Sequence, residues 1–360
     1  MATIKLGIVG TGGMANAHAR CFKEIKGVEI TTCHDVLPER AAAFAQKWEI
    51  KRVATSLNDL LDQVDAVSVV TPDRFHAQPS LAALRAGKHL MCEKPLAVTL
   101  AEARQVARAA ESAHKKHGAQ HLINFSYRNS SAFQEAIKLA QQGVLGEIHH
   151  VHSSYLQSWL SAAIWGGWQS EAMLWRLQTA KGSGGVLGDL GCHILDFTTA
   201  VAGELKAVRC NLSTFPKRDN QGRNVSQWKG VPLDANDTAL IELHFAAGAV
   251  GLCHTSRWAT GHANSVALEV HGTEGALRIN LDEGYDKLNL CLGKARHKCE
   301  WKTKVIKSTP NNYARLIKAI RSGKPEQADL LRGAQIQAYL DACERSAAAG
   351  GTPTTIRPWM

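Results

Sequence analysis

One segment of the sequence combines carboxylates and a histidine at a spacing suited to proton transfer. It runs from Gly184 to Asp196 and contains Asp189, His193 and Asp196. If the segment is helical, these three side chains lie at i, i+4 and i+7 on one face, so that a carboxylate can reach the imidazole. A histidine exchanges protons near neutral pH, and a neighbouring carboxylate fixes its tautomer and raises its pKa. The pattern indicates acid–base chemistry.

The residues alone leave two other interpretations of this segment open. Asp189 and His193 could form an ion pair with a purely structural role. An i, i+4 pair could also ligate a metal ion, but no third ligand and no His-Glu-x-x-His context accompanies it. We therefore predict no metal site.

A glycine-rich turn follows the first apolar run and has the form G-x-G-x-x-A. Gly10 permits a tight turn, Gly12 lets a pyrophosphate approach the backbone, and Ala15 allows close packing of helix on strand. Gly13 and Met14 lie within the same turn. The turn predicts a dinucleotide-binding site.

Asp35 stands 20 residues after Ala15, at the end of the second expected strand. A carboxylate there can accept both hydroxyls of the adenosine ribose, whereas a 2′-phosphate would meet its charge. The sequence therefore favours NAD over NADP, although Arg40, one helical turn later, could reach a phosphate. A helix cap is the alternative role for Asp35.

A lysine follows the fifth expected strand in the run Cys92-Glu93-Lys94-Pro95-Leu96. Open α/β sheets bind ligands at the carboxyl ends of their strands. The Lys94 ammonium could there hydrogen-bond a substrate oxygen and stabilise developing alkoxide charge. A surface lysine is the alternative.

Alternating strands and helices are expected to hold these turns in residues 1–125. The expected strands are Ile4–Val9, Val28–Cys33, Ala66–Val70, His89–Cys92 and Leu122–Phe125, and the expected helices include Arg40–Trp48, Gln78–Ala86 and Leu100–His117. This alternation is typical of right-handed βαβ crossovers. It predicts a doubly wound α/β domain of the Rossmann type with a parallel sheet.

The pattern changes after Tyr127. A Trp-rich segment leads into a helix that begins near Gly185, and strands then follow one another: Ala207–Ser213, Thr238–Phe245, Ala249–Arg257, Ser265–His271 and Ala276–Asn280. Helical patterns at 313–322 and 330–349 close the chain, and 219–230 is predicted to be a mobile loop. Residues 126–360 are therefore predicted to form an α+β domain on an antiparallel sheet.

Composition excludes several classes of protein. Apolar residues make up 45% of the 360 residues and charged residues 21%, close to the average of folded globular proteins. We expect a cytoplasmic protein, because no apolar run is long enough to cross a membrane and nine cysteines without a C-x-x-C pair suit a reducing compartment.

The net charge of +10 raises the question of a nucleic-acid partner. The strongest local excess lies between Lys287 and Lys307, in an expected hairpin. We interpret it as a solvated basic face, because no nucleic-acid-binding fold or aromatic stacking motif accompanies it. We therefore expect neither a nucleic-acid nor a membrane partner.

The sequence resembles the Gfo/Idh/MocA oxidoreductases, a family that includes inositol dehydrogenases and glucose–fructose oxidoreductase. The resemblance covers nearly the whole chain. It is carried by Gly10-x-Gly12-x-x-Ala15 with Asp35, Thr71-Pro72-Asp73 with His76, Ala86-Gly87-Lys88-His89, Glu93-Lys94-Pro95, Trp175-Arg176, and Gly184-Gly185-x-x-x-Asp189-x-x-x-His193-x-x-Asp196.

The resemblance implies a second domain with a large, mostly antiparallel sheet whose open face forms a homodimer or homotetramer. It also implies that Lys94, Asp189 and His193 act at the reacting carbon. Residues assigned to the cofactor site are Thr71, Pro72, His76, Glu93, Lys94, Trp175 and Arg176. Residues expected to contact the substrate are Tyr127, Arg128, Trp165, Trp168 and Arg176, together with the three catalytic residues.

Four tryptophans lie between positions 159 and 175. Trp159, Trp165, Trp168 and Trp175 could form core, or a wall that stacks on sugar C–H faces. We expect packing or an oligomer contact for two of them, and a substrate wall at Trp165 or Trp168.

These observations predict an NAD-dependent dehydrogenase that moves a hydride between nicotinamide and a hydroxyl-bearing ring carbon of a sugar, sugar derivative or cyclitol. Two alternatives remain open. One is a glycosidase that oxidises and re-reduces its sugar with bound NAD. The other is a non-catalytic, NAD-sensing regulator that binds a sugar on the same fold.

Overall fold

A computed structural model describes residues 3–360, apart from the side chain of Ala172. Two compact units make up the described chain. The first contains the residues up to 125 together with 310–337 and 358–360, and the second contains 126–309 and 338–357.

The first unit is built on a six-stranded parallel sheet with the strand order 3-2-1-4-5-6. Its strands are β1 (Ile4–Val9), β2 (Val28–His34), β3 (Arg52–Val53), β4 (Ala66–Val69), β5 (His89–Cys92) and β6 (His121–Ile123). Its first five helices are α1 (Ala15–Lys23), α2 (Pro38–Trp48), α3 (Leu57–Leu61), α4 (Ala77–Arg85) and α5 (Leu100–His117). This order places the reversal of the sheet between β1 and β4, where such folds bind ligands.

Continuous apolar runs explain the central strands of this sheet. All four residues of β4 are buried, as are Leu6 and Ile8 of β1. Strands covered by helices on both faces need apolar side chains on both sides. Helix α5 begins at a capping box, in which Thr99 and Glu102 each bond the other's backbone amide, and ends at Gly118 in the left-handed conformation.

The second unit is built on a nine-stranded mixed sheet. Its helices are α6 (Ser131–Gln141), α7 (Glu171–Leu174) and α8 (Cys192–Ala202). The strands of this unit form the nine-stranded sheet and two separate hairpins, β9–β10 and β11–β12. They are β7 (Ile148–Leu156), β8 (Leu205–Ser213), β9 (Lys217–Arg218), β10 (Asn224–Val225), β11 (Gln227–Trp228), β12 (Val231–Pro232), β13 (Thr238–Phe245), β14 (Val250–Ser256), β15 (Ser265–Gly272), β16 (Gly275–Asn280), β17 (Lys287–Leu292), β18 (Lys302–Val305) and β19 (Thr354–Thr355).

The large sheet has the order β18-β17-β16-β15-β7-β14-β13-β8-β19 and is antiparallel except between β7 and β14. Helix α8 packs on one face of it, where Thr198 donates a hydrogen bond to Ser153 (2.8 Å). Phe133 of α6 stacks on Phe197 of α8, with ring centroids 4.0 Å apart. The predicted fold class, a Rossmann domain followed by an α+β domain on a mostly antiparallel sheet, is confirmed.

Two expectations about the chain differ from the structure. Helix α9 (Asn312–Ser322) belongs to the first unit rather than to the second, because Tyr313, Leu316 and Ile317 are buried in the same core as Phe22. Helix α10 (Leu330–Ala348) begins in the first unit and ends in the second.

The segment 219–230 also differs from the predicted loop. Two short hairpins, β9–β10 and β11–β12, occupy it and its flanks. Asp219 stabilises the first hairpin, since its carboxylate accepts the Gln221 and Arg223 amides at 2.9 Å each.

Among the described residues, no helix combines the length and apolar character needed to span a membrane.

Candidate active site

The glycine-rich turn of the first unit has room for a phosphate group. Gly10 has a φ of 88°, and a Cβ there would lie 2.8 Å from the Thr71 amide nitrogen. A Cβ on Gly12 or Gly13 would meet nothing within 4 Å. Ala15, fully buried, begins α1, and the exposed Met14 caps the helix without a side-chain hydrogen bond. The open space at the start of the helix fits the pyrophosphate of NAD.

Asp35 follows β2 and is bound to this turn. One of its oxygens accepts the Thr11 amide (2.8 Å) and hydroxyl (2.9 Å), and the other accepts the Leu37 amide (3.0 Å). Burial raises the pKa of Asp35, but these hydrogen bonds and the charge of Arg40 outweigh it, so the pKa lies below its usual range. Asp35 is therefore an anion beside the turn, and the Arg40 side chain is exposed.

Glu93, directly after β5, is held by a buried polar network. Its Oε1 contacts Nε2 of His18 (2.8 Å) and accepts the Asn124 amide group (2.6 Å), and its Oε2 accepts the Lys94 backbone amide (3.2 Å). Burial raises the pKa of Glu93, but the His18 hydrogen bond and charge, with Asn124 and Lys94, lower it to about 2. Tyr313 accepts a further bond from Asn124 (3.2 Å).

The Glu93 side chain is buried and both of its oxygens are bonded within the protein, so it positions the Lys94 backbone. Its cofactor contact stays a prediction, as does that of His76, which is also buried. The two ring nitrogens of His76 lie 2.7 Å from the Thr71 carbonyl and 2.6 Å from the Pro95 carbonyl. His76 therefore links the turn at Thr71 to the turn at Pro95. Thr71 is half-buried and Pro72 is exposed.

In the second unit, Asp189 lies in a π-helical turn rather than in the expected ordinary α-helix. This turn spans Leu187–Gly191 and leads directly into α8 at Cys192. Such turns add a residue to the helix and are frequent at functional sites. His193, in the first turn of α8, is 7% exposed. Its ring lies edge-on to Tyr127, with centroids 5.0 Å apart, and to Tyr155 at 6.2 Å.

The two carboxylates that flank His193 have different partners. Asp189 Oδ2 accepts a hydrogen bond from Arg257 (3.0 Å) and lies 3.7 Å from Nε of Arg176. Asp196 is buried and accepts two hydrogen bonds of 2.7 Å from Arg128. The Arg128 guanidinium forms a buried bidentate pair with Asp196, and its contact with the substrate stays a prediction.

The tryptophans divide into core and surface. Trp159 and Trp168 are buried in one apolar cluster, and the Trp168 indole N–H donates to the Arg218 carbonyl (2.9 Å). The substrate wall expected at Trp165 or Trp168 stays a prediction. Trp165 is 51% exposed with a φ of 54°. The Arg176 guanidinium carbon lies 4.7 Å from the centroid of the Trp175 ring.

Comparison with known proteins decides the family. Residues 4–121 match a family described as "Oxidoreductase family, NAD-binding Rossmann fold", and residues 133–278 match the GFO/IDH/MocA C-terminal domain. Levoglucosan dehydrogenase of Pseudarthrobacter phenanthrenivorans is 30% identical over 78% of this chain and 75% of its own. The chain belongs to the Gfo/Idh/MocA oxidoreductase family.

Other relatives of this Gfo/Idh/MocA oxidoreductase agree. The 1,5-anhydro-D-fructose reductase of Ensifer adhaerens is 29% identical over 75% of this chain and 74% of its own. A levoglucosan dehydrogenase structure in complex with NADH and L-sorbose superposes with a TM-score of 0.84 at 26% identity, covering 99% of this chain and all of the other. The predicted family, enzyme class and NAD cofactor are confirmed, and the family is one of NAD-binding sugar oxidoreductases.

Sequence reasoning missed several residues of this oxidoreductase. Tyr155, Asn264 and Gln157 form a hydrogen-bonded group with Tyr127 beside His193, at distances of 2.6 to 3.3 Å. Arg257, the partner of Asp189, was missed as well. The contacts of Arg257 and of Asn264 join positions 68 to 137 residues apart, so no local pattern could reveal them. The contacts among Tyr127, Tyr155 and Gln157 join positions that are closer in the sequence.

Proposed function

We propose that this protein is an NAD-dependent dehydrogenase that oxidises a ring hydroxyl of a sugar or sugar derivative to a ketone, or catalyses the reverse. The observation that carries the proposal is the buried His193, which lies beside two tyrosines and one turn after Asp189. A histidine held in this way suits proton exchange with a neutral hydroxyl.

The roles of the residues follow from charge. NAD, held at the glycine-rich turn beside Gly12 and Asp35, would supply the acceptor for the hydride that leaves the hydroxyl-bearing carbon. His193 takes the hydroxyl proton, while the carbon–oxygen bond becomes a carbonyl. The Lys94 ammonium stabilises the negative charge that develops on the oxygen. Glu93 bonds the Lys94 backbone amide and so fixes the start of the turn that carries the lysine.

The polar group beside His193 favours a polyhydroxylated substrate. Tyr127, Tyr155, Asn264 and Gln157 supply hydroxyl and amide groups, which can both donate and accept hydrogen bonds. Sugar hydroxyls need partners of this kind. Relatives named for levoglucosan and 1,5-anhydro-D-fructose support a pyranose derivative as substrate.

A spectrophotometric screen at 340 nm tests the proposal. The purified protein is mixed with NAD or NADP and, in turn, with anhydrosugars, free pyranoses, glycosides and inositols. We expect NADH formation with at least one pyranose. Two results would oppose the proposal: NAD binding without turnover of any sugar indicates a regulator, and glycoside cleavage without net NADH indicates a glycosidase.

A further inference from the structure

Arg257, the residue that follows β14, is a fully buried guanidinium directed at Asp189. One of its terminal nitrogens donates to Asp189 Oδ2 (3.0 Å) and to the Gly185 carbonyl (3.3 Å). The other donates to the Arg176 carbonyl (3.1 Å). The guanidinium carbon lies 5.0 Å from the centroid of the buried Trp159 ring. Arg257 thus joins three points of the segment that leads into α8.

Burial of a charge is costly unless the charge is paired and hydrogen-bonded. Burial lowers the pKa of Arg257, and the charge and hydrogen bond of Asp189 raise it. Arginine nevertheless stays protonated in proteins. Arg257 is therefore a permanent positive charge one hydrogen bond away from Asp189.

Other charged groups lie around this pair. Asp237 and Arg176 also act on Arg257, and Lys217 bonds Asp237 (2.5 Å). Around His193 are the phenols of Tyr127 and Tyr155, Asp189 in the preceding turn, Cys192 beside it, and Asp196 with its partner Arg128. Arg257 lies 3.0 Å from Asp189 Oδ2, closer than Arg176 at 3.7 Å.

We propose that Arg257 is a positioning residue that sets the pH at which His193 works. It fixes the Asp189 carboxylate in the π-helical turn and offsets part of its negative charge. A carboxylate near an imidazole favours the protonated ring, and a guanidinium opposes that effect. Arg257 thereby keeps His193 neutral, and able to accept a proton, at lower pH than Asp189 alone would allow. This inference rests on the proposed role of His193.

Two substitutions with opposite effects test the inference. Arg257→Gln removes the opposing charge, so the acid limb of the kcat/KM profile for sugar oxidation should move to higher pH by about half to one unit. Asp189→Asn removes the carboxylate, so the limb should move to lower pH. Arg257→Lys keeps the charge but not the fork of donors, and should retain the limb near its wild-type position with a lower kcat.

Arg345→Gln is the matched control, because Arg345 bonds Asp341 (2.8 Å) and the Thr355 carbonyl (2.9 Å) in the same unit. It should leave the limb in place. A loss of rate in Arg257→Gln without movement of the limb, or movement to lower pH, would overturn the inference. If Arg257→Gln does not fold, Arg257→Met/Asp189→Asn is compared with Asp189→Asn. The double variant also lacks the guanidinium, so its limb should lie at higher pH, and equal limbs would overturn the inference.

A second readout separates this inference from the proposed function. Histidine-labelled NAD-bound protein is titrated by NMR, and the His193 signal is assigned by its loss in His193→Gln. We expect the His193 titration midpoint to rise in Arg257→Gln even if no sugar in the screen is turned over. An unchanged midpoint, in protein that oxidises a sugar, would refute the inference and leave the proposed function intact.

Discussion

Lys94 and His193 are expected to matter more in the transition state than in the ground state. Lys94→Ala and His193→Ala should lower kcat by about 10²- to 10⁴-fold and leave NAD affinity nearly unchanged. Asp189→Asn should be milder, because an amide still bonds a neighbour but lacks the charge. Steady-state kinetics with calorimetric NAD titration measure both quantities. Folded variants that lose less than about threefold in kcat would show that both residues have structural roles and do not take part in the chemistry.

Asp35 should determine the choice of cofactor. Hydrogen bonds from Thr11 and Leu37 keep its carboxylate ionised, and this charge repels a 2′-phosphate. We expect the wild type to bind NAD more tightly than NADP in calorimetric titrations, and Asp35→Ser to narrow the difference. Equal or tighter binding of NADP by the wild type would show that Arg40 or His34 outweighs Asp35.

Glu93 should make the stability of the protein depend on pH. Its pKa is about 2 in the folded state against an ordinary value of 4.5. The stabilisation is therefore present above about pH 4.5 and is lost as the pH falls towards 2. At neutral pH it is on the order of 3 kcal/mol.

Urea unfolding between pH 7 and pH 3 measures this dependence. Wild type should lose stability across that range, and Glu93→Gln should lose less, because its amide does not titrate. Glu111→Gln is the control, since Glu111 forms a helical pair with Lys115 in which both side chains are well exposed. Equal slopes for wild type and Glu93→Gln would contradict the proposed charge state of Glu93.

At the scale of elements, two glycines of the glycine-rich turn have different roles. We expect Gly10 to matter for stability and Gly12 for cofactor binding. A Cβ on Gly10 would collide with the backbone at Thr71 in a left-handed conformation, so Gly10→Ala should lower stability by about 1 to 3 kcal/mol. A side chain on Gly12 meets no protein atom but fills the phosphate space. Gly12→Val should keep the melting temperature and weaken NAD binding about tenfold or more. Normal NAD affinity in Gly12→Val would place the pyrophosphate elsewhere.

Local patterns were informative wherever one element carried the signal. Helix α5 has the predicted bounds because a capping box and a C-terminal glycine mark its ends in the sequence. The spacing of Asp189 and His193 was visible in the same way. The π-helical turn that contains Asp189 was not visible in the sequence. Arg257 and Tyr155, which lie beside Asp189 and His193, were not visible either, because only tertiary contacts bring them there. The sequence of α9 predicted a helix, but it did not predict the unit to which this helix belongs.

At the scale of the whole molecule, one face of the second sheet carries partly exposed apolar side chains. Leu240, Val250 and Leu252 lie on that face with about half of their surfaces exposed. His150 and His271 pair across neighbouring strands on the same face, with ring centroids 5.6 Å apart. Exposed aliphatic side chains on a sheet face favour an isologous contact with a second copy of the chain.

We therefore expect a homodimer or homotetramer by light scattering at micromolar concentration. Leu252→Glu should reduce the measured mass, since it places a charge in the contact. Val305→Glu, at an exposed position of edge strand β18, should not. A monomer mass for the wild type would contradict the expectation.

Deuterium transfer tests the central claim most directly. The protein is incubated with NAD and with carbon-deuterated levoglucosan, glucose or another sugar that is active in the screen, and the mass of the NADH formed is measured. Direct hydride transfer from the ring carbon predicts NADH one mass unit heavier than that formed from the ordinary sugar. NADH of ordinary mass, or no NADH from any sugar, would contradict the account.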